Sequence, residues 1–141
     1  MEINIYVPCK KIEKHYNQAL SEYIKRSSPW CKINIIALKS YQKLATKKGA
    51  KVYLVTSGKN TPSSPELATL INDLNVSGYS CIDFILDDNS QDIIKNLSGN
   101  DIFVEEFNLS SFQMGEQLTA VVLTEQLYRA FTIQKNITYH K

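Results

Sequence analysis

Apolar and polar residues alternate over residues 2–7. Ile3, Ile5 and Val7 fall on one side of this pattern, with polar or aromatic residues between them. A period of two is typical of a β-strand, so the pattern predicts a strand over Glu2 to Val7. Pro8 ends it, because proline cannot donate to a strand ladder.

The next segment has the period of an amphipathic helix. Its lysines fall largely outside the apolar positions, and Ser27-Ser28-Pro29 ends the pattern. A spacing of three and four residues places the apolar side chains on one face. These residues are Ile12, Tyr16, Ala19, Leu20, Tyr23 and Ile24.

A second helix is predicted after residue 62. Ser63 or Ser64 can cap it, with Pro65 in the first turn, where proline is tolerated. Gly78 is placed to end it. The predicted buried face comprises Leu67, Leu70, Ile71 and Leu74.

Four further strands and one short helix complete the central part of the pattern. The strands are predicted over residues 32–38, 51–56, 81–86 and 101–107, and the short helix over 90–97. Residues 39–50 are polar and lysine-rich and predict a loop with at most one helical turn. Strands that alternate with helices favour an α/β fold with a largely parallel sheet. The length of 141 residues predicts a single domain over 1–141.

The last helix, predicted from about Glu116 to Gln134, is apolar on more than one face. A helix of this kind needs burial on two sides. We expect the sheet to cover one side and a second subunit the other, which predicts a homodimer. Its apolar residues are Leu118, Ala120, Val121, Val122, Leu123, Leu127, Tyr128, Ala130 and Phe131.

Charge is distributed unevenly along the chain. Residues 1–60 carry twelve bases and three acids, whereas residues 61–115 carry one base and nine acids. The basic half suggests an anionic partner such as RNA; a solvated lysine-rich surface is the alternative. The candidate phosphate contacts are Lys10, Lys11, Lys14, Lys47, Lys48 and Lys51.

The three cysteines, Cys9, Cys31 and Cys81, support neither a disulfide framework nor a zinc site, because their number is odd and no C-x-x-C spacing occurs. Asp87 and Asp88 alone are weak grounds for a metal. No apolar run is long enough to span a bilayer, and no secretory signal opens the chain. We therefore expect a cytoplasmic protein with no metal and no membrane partner.

Three segments resemble the ribosomal RNA large subunit methyltransferase H family, which has the SPOUT fold. Leu54-Val-Thr-Ser-Gly-Lys59 looks like the family's central strand and Gly-Lys turn. Thr124-Glu-Gln-Leu-Tyr-Arg-Ala-Phe131 and Tyr139-His140-Lys141 match the family's last helix and tail. The resemblance implies a SPOUT-type α/β knot: a mostly parallel sheet, helices on both faces and a C-terminal trefoil knot.

The implied reaction is methyl transfer from S-adenosyl-L-methionine to N3 of a pseudouridine in 23S rRNA of the large ribosomal subunit. The candidate catalytic residues are Tyr139, His140 and Arg129. For Arg129 two roles stay open, a contact with phosphate and an intersubunit salt bridge. The resemblance places the cofactor against Leu54, Gly58, Leu109, Ser110, Ser111, Phe112, Gln113 and Met114.

Two segments depart from the family pattern. Asp87-Asp88-Asn89-Ser90-Gln91 stands where the family has a glycine-rich turn. Gly115-Glu116 and Ala120 stand where it has Pro-His and an arginine. Glycines allow close approach of a ligand to the backbone, and the carboxylates would repel RNA phosphate. Drift at a site read through its backbone is one interpretation. The other is a degenerate, cofactor-poor homologue that acts as a ribosome-binding, RNA-binding or structural dimer.

Overall fold

The computed structural model describes residues 1–39, 44, 46–86 and 102–139. The elements follow one another as β1 (Glu2–Val7), α1 (Lys14–Ser27), β2 (Lys32–Ala37), β3 (Lys51–Ser57), α2 (Ser64–Val76), β4 (Cys81–Leu86), β5 (Val104–Ser110) and α3 (Glu116–Gln134). The predicted short helix over 90–97 lies outside the described residues, as does part of the predicted 39–50 loop.

The five strands form one sheet in the order β2-β1-β4-β3-β5. Every pairing is parallel. The predicted α/β class with a parallel sheet is therefore confirmed. Because all strands run the same way, the carboxyl ends of β3, β4 and β5 lie side by side at one edge of the sheet.

The three described helices pack on one face of the sheet. Leu20 of α1, Ile71 of α2 and Leu127 of α3 belong to one buried cluster, which also contains Ile5 and Phe84 of the sheet. α3 lies between α1 and α2 and touches both. The trefoil knot stays a prediction.

The opposite face of the sheet carries a smaller apolar cluster of Tyr6, Val52, Leu54 and Ile85. Leu38, Leu44 and Ile102 pack against it. The described helices all lie on the other side of the sheet. Helices on both faces, as the resemblance implies, therefore stay a prediction.

Polar side chains are buried on this second face. Asn4 donates to the Asp83 carboxylate at 2.9 Å and accepts from Asn34 at 2.9 Å. Asp83 is 1% exposed, and its second carboxylate oxygen has no hydrogen-bond partner among the described residues. Burial raises the pKa of the Asp83 carboxyl, while the hydrogen bonds from Asn4 and Cys81 act in the opposite direction.

Local sequence signals explain most element boundaries. Ser63 accepts from the Glu66 backbone N–H, and the Glu66 carboxylate accepts from the Ser63 N–H, which is a capping box. Gly78 follows α2 with φ +98°, a conformation that favours glycine. The predicted bounds of α3 and of the β1 and β4 strands match those observed.

The predicted bounds of the fifth strand were wrong. The strand runs over Val104–Ser110, three residues further along the chain than the 101–107 pattern indicated. Its register against β3 decides this, because Val104 pairs with Val52 and the ladder continues through Ser57. Leu109 and Ser110, predicted to lie in a loop, end the strand.

The apolar faces of α3 are covered mostly within the same chain. Ala120, Leu123, Leu127, Ala130 and Phe131 are buried against the sheet and the two flanking helices. A second subunit is therefore not required to cover most of α3. The apolar side chains that stay accessible along this helix are Leu118 and Ile133, which are 40% and 39% exposed, and Val122, which is half-buried.

Candidate functional site

A cavity opens at the carboxyl ends of β3, β4 and β5. Its described walls enclose about 210 Å³. Open α/β sheets bind ligands at this edge, where strand ends and helix starts meet. The lining residues are Val55, Thr56, Ser57, Leu86, Leu109, Ser110, Phe112, Gln113, Met114, Glu116 and Thr119.

Five of the eight residues expected at the cofactor line this cavity: Leu109, Ser110, Phe112, Gln113 and Met114. They come from the end of β5 and the loop that leads into α3. Ser111 lies in the same exposed loop without being part of the wall.

Leu54 and Gly58 lie apart from the cavity wall. The Leu54 side chain is fully buried in the apolar cluster on the second face of the sheet. Gly58 instead supports the wall, since its backbone N–H donates to the Ser110 carbonyl at 3.0 Å. Thr56 and Ser57 were not among the residues expected at the cofactor, although both lie in the 54–59 segment that resembles the family.

Asn108 joins the ends of β3 and β5 beneath the cavity. Its amide donates to Thr56 Oγ1 at 2.8 Å and accepts from the Asn60 backbone N–H at 3.3 Å. A Cβ at position 58 would meet the Asn108 amide, 2.6 Å from its Cγ. A side chain at position 58 would therefore force the Asn108 amide to move from its hydrogen bond to Thr56.

The loop after β5 is held by its own side chains. Ser110 Oγ donates to the Phe112 carbonyl. Thr119 Oγ1 donates to the Gly115 carbonyl at 2.8 Å, which ties the first turn of α3 to the loop. The Phe112 ring is 66% exposed beside the cavity and offers an aromatic surface to a ligand.

The candidate catalytic residues Arg129 and Tyr139 lie together near the other end of α3. Arg129 Nη2 donates to Glu125 Oε1 at 2.7 Å, and Tyr139 Oη donates to the same oxygen at 2.8 Å. The guanidinium lies 4.8 Å from the centre of the Tyr139 ring. His140 lies outside the described residues.

Ionisation of this group is set by burial and by Glu125. Burial raises the pKa of Tyr139 to about 12, and its hydrogen bond to Glu125 acts in the same direction. The hydrogen bond to Glu125 also raises the pKa of Arg129. At neutral pH the phenol is a hydrogen-bond donor and the guanidinium a fixed positive charge.

The candidate phosphate contacts fall into two groups. Lys47 is paired with Glu2 at 3.0 Å and Lys51 with Glu105 at 2.6 Å. The other four are exposed and have no ion-pair partner in the described part of the chain: Lys10, Lys11, Lys14 and Lys48.

Gln117 connects the backbone of residues 11–13 to the helix that lines the cavity. Its side chain accepts from the Glu13 backbone N–H at 2.8 Å and donates to the Lys11 carbonyl at 3.3 Å. Gln117 lies in the first turn of α3, between Glu116 and Thr119 of the cavity wall. The basic segment before α1 and the cavity therefore share one support.

Comparison with known proteins agrees with this geometry. The family described as predicted SPOUT methyltransferase matches residues 1–140. The chain is 34% identical to ribosomal RNA large subunit methyltransferase H 1 of Thermoanaerobacter sp., over the full length of both. It is 32% identical to ribosomal RNA large subunit methyltransferase H of Clostridium acetobutylicum, also over the full length of both. The chain belongs to the SPOUT methyltransferase family.

Two further features of the described residues concern membranes and metals. None of the described helices is long and apolar enough to cross a membrane. Within residues 1–39, 44, 46–86 and 102–139, no group of three or more His, Cys, Asp or Glu side chains is placed to hold a metal ion.

Proposed function

We propose that the protein methylates N3 of a pseudouridine in 23S rRNA, with S-adenosyl-L-methionine as methyl donor. The observation that carries the proposal is the cavity at the carboxyl ends of β3, β4 and β5, in a chain whose full-length relatives are named ribosomal RNA large subunit methyltransferase H. We further propose that the chain acts as a single domain in the cytoplasm.

The residues present fit this cofactor. Val55, Leu86, Leu109 and Met114 provide an apolar wall, and hydroxyl and backbone groups of the strand ends provide hydrogen-bonding partners. Glu116 adds a carboxylate, which favours a nearby positive charge. When bound, the cofactor supplies an electrophilic methyl group on a sulfonium.

The protein's own contribution is then to orient the base and move one proton. The loop from Leu109 to Met114 would hold the donor through backbone groups, with Gly58 supporting it from β3. His140 is proposed to take up the N3 proton, because imidazole exchanges protons near neutral pH. Arg129 would donate to the substrate or to its phosphate. Tyr139, whose phenol donates to Glu125, would hold the tail that carries His140.

The tail and the cavity lie at different ends of one helix. Thr119 of the cavity wall and Arg129 of the tail cluster are ten residues apart on α3, which corresponds to about 15 Å of helix. One chain cannot easily bring both to the same base. We therefore propose a homodimer in which the tail of one protomer completes the cavity of its partner. The proposed contact surface consists of the exposed Leu118 and Ile133 and the half-buried Val122.

RNA would approach the cavity along the basic segment before α1. Lys10, Lys11 and Lys14 are exposed there, and Gln117 links this segment to the helix that lines the cavity. Phosphate contacts from these lysines would position the strand while the cavity selects the base.

The test is methyl transfer to purified ribosomes or 23S rRNA with labelled S-adenosyl-L-methionine. We expect incorporation into RNA that carries pseudouridine and none into matched RNA with uridine at the same position. Transfer to both substrates, or to neither, would contradict the proposed reaction.

A second function is favoured by the Asp87-Asp88-Asn89 run, which lies outside the described residues. If it has removed the cofactor site, the protein is an RNA-binding or structural dimer. Calorimetric titration with S-adenosyl-L-methionine separates the two. Replacing Asp87 and Asp88 by glycine should tighten cofactor binding if that run weakens it. Binding that is tight in the native chain and unchanged in the double variant would exclude the degenerate alternative.

A further inference from the structure

Glu125 is the common acceptor of the C-terminal cluster. Oε1 accepts from Arg129 Nε at 3.2 Å, from Arg129 Nη2 at 2.7 Å and from Tyr139 Oη at 2.8 Å. Its Oε2 accepts from Gln126 Nε2 at 2.8 Å. Both oxygens are therefore occupied, and the side chain is only 16% exposed.

The hydrogen bond between Glu125 and Tyr139 connects the C-terminal tail to α3. Residues 135–139 leave the end of α3 and turn back along it, starting with the Ile137 N–H, which donates to the Thr132 carbonyl at 2.9 Å. Tyr139 lies five residues after the end of α3. The centre of its ring is 5.4 Å from the centre of the Tyr128 ring. The hydrogen bond from the Tyr139 phenol to Glu125 adds a polar contact to this ring packing.

The same carboxylate is linked to the start of α2. Gln126 donates to Glu125 and accepts from Ser64 Oγ at 2.8 Å. Ser64 is the first residue of α2. Through Gln126, Glu125 Oε2 is therefore supported by side chains from two helices, which favours one position of the carboxylate.

We propose that Glu125 is the positioning residue of the C-terminal tail, holding the Tyr139 phenol and the Arg129 guanidinium in one arrangement so that the tail is presented in a single conformation. The effect on catalysis rests on the proposed function; the docking of the tail does not. Glu125 touches neither substrate nor cofactor in this role, and acts through Tyr139 and Arg129.

This assignment gives Tyr139 a definite role. Its proton is directed at Glu125, so the phenol is an anchor in this conformation and does not act as a base. Arg129 is ion-paired with Glu125 on the same helix, and its guanidinium lies over the Tyr139 ring. Loss of Glu125 removes the shared hydrogen-bond acceptor from both side chains.

The chain contains a matched control. Glu22 accepts from Arg26 Nε at 2.8 Å, four residues along α1, as Glu125 does from Arg129 on α3. The two pairs share their residue types and spacing. Glu22 has no contact with the tail among those described, so Glu22→Ala removes a helix ion pair without removing a tail anchor.

The experiment compares Glu125→Ala, Glu125→Gln, Tyr139→Phe, the Glu125→Ala/Tyr139→Phe double variant and Glu22→Ala. Amide hydrogen exchange over residues 135–139 reports docking without reference to activity. We expect exchange there to rise by about tenfold or more in Glu125→Ala, less in Glu125→Gln, which keeps an oxygen acceptor, and not in Glu22→Ala.

Methyl transfer gives the second measurement. We expect kcat to fall by about 10- to 100-fold in Glu125→Ala, since small misplacement of a reacting group has effects of this size. KM for S-adenosyl-L-methionine should stay within about twofold, because the anchor does not line the cofactor cavity. Groups that act as one unit are non-additive, so the double variant should lose no more than about twofold beyond Glu125→Ala.

The outcomes separate the two claims. Unchanged tail exchange in folded Glu125→Ala and Glu125→Gln overturns the docking role, whatever the activity. Faster exchange with unchanged kcat, or a fully additive double variant, overturns the positioning role. If the native protein transfers no methyl group, the proposed function has failed, and the exchange data still decide whether Glu125 holds the tail.

Discussion

The Asn108 amide lies where a side chain at position 58 would have to go. It is also bonded to Thr56, two residues before Gly58, so the contact that excludes a Cβ is the same one that joins β3 to β5. The glycine of this turn is thus explained by a partner fifty residues away, directly below the candidate cofactor cavity.

Replacing Gly58 by alanine should destabilise the protein by about 1–3 kcal/mol, the usual cost of forcing extra volume into a packed site. Cofactor binding should weaken too, because Ser110 accepts from the Gly58 N–H. Denaturant unfolding and calorimetric titration measure the two effects. Adding Asn108→Ala should recover part of the stability lost in Gly58→Ala. Strict additivity of the two changes would show that the clash is not the cause.

The buried Asp83 carboxyl should make folding stability depend on pH. Burial raises its pKa above the usual 3.8, so the folded state holds the proton more tightly than the unfolded chain. This contribution to stability is fully present below about pH 4 and is lost as pH rises through the higher folded-state pKa. Glu2 opposes ionisation of Asp83, and Lys47 favours it.

Asp83→Asn should remove this dependence, because the amide is neutral throughout and leaves an oxygen for Asn4. We expect the free energy of unfolding near pH 8 to increase, because the neutral amide removes the cost of burying the ionised Asp83 carboxylate. Chemical unfolding at several pH values tests this. Asp73→Asn, at an exposed position of α2, is the control and should change little. Parallel pH profiles for Asp83→Asn and the native protein would contradict the prediction.

A composite site predicts complementation between two inactive variants. Ser110→Trp should block the cavity, and Tyr139→Ala should remove the tail anchor. If each cavity is completed by the partner's tail, mixed dimers contain one intact site, so an equal mixture should recover about a quarter of native activity. Val122→Asp should weaken the dimer in light scattering. No recovery on mixing, with exchange of subunits verified, would exclude the shared site.

RNA binding through the basic segment should depend strongly on salt. Lys11→Glu should weaken binding and reduce the slope of log affinity against log salt by about one unit, as counterion release requires for one phosphate contact. Lys25→Glu makes the same charge change at the far end of α1 and is the control. An equal effect of both substitutions would indicate a general charge effect and no defined contact.

Local sequence patterns were sufficient for most of the elements. The capping residues Ser63 and Glu66 are three positions apart, and the boundaries of α3 follow from a change in composition at Glu116 and at Lys135. These signals involve neighbours in the chain, so the sequence alone was enough to predict them. The α/β class followed from the alternation of the elements.

Contacts between distant residues decided the rest. The start of β5 depends on its register with β3, which the 101–107 pattern does not specify. The burial of Leu54 on the second face depends on the orientation of β3 in the sheet, which its own sequence does not specify. The candidate cofactor loop was found because the family resemblance pointed to it, whereas its supports at Gly58, Asn108 and Gln117 needed the tertiary structure.

The sequence by itself determined the strand and helix periods, the caps and the family to which the chain belongs, because each depends on residues close together in the chain or on short motifs. Only the tertiary structure decided that α1 and α2 cover α3, that Asp83 is buried beside Asn4, and that Glu125 receives Tyr139. Each of these joins residues through packing of separate elements, and the energy of such contacts depends on three-dimensional distance, which no local pattern specifies.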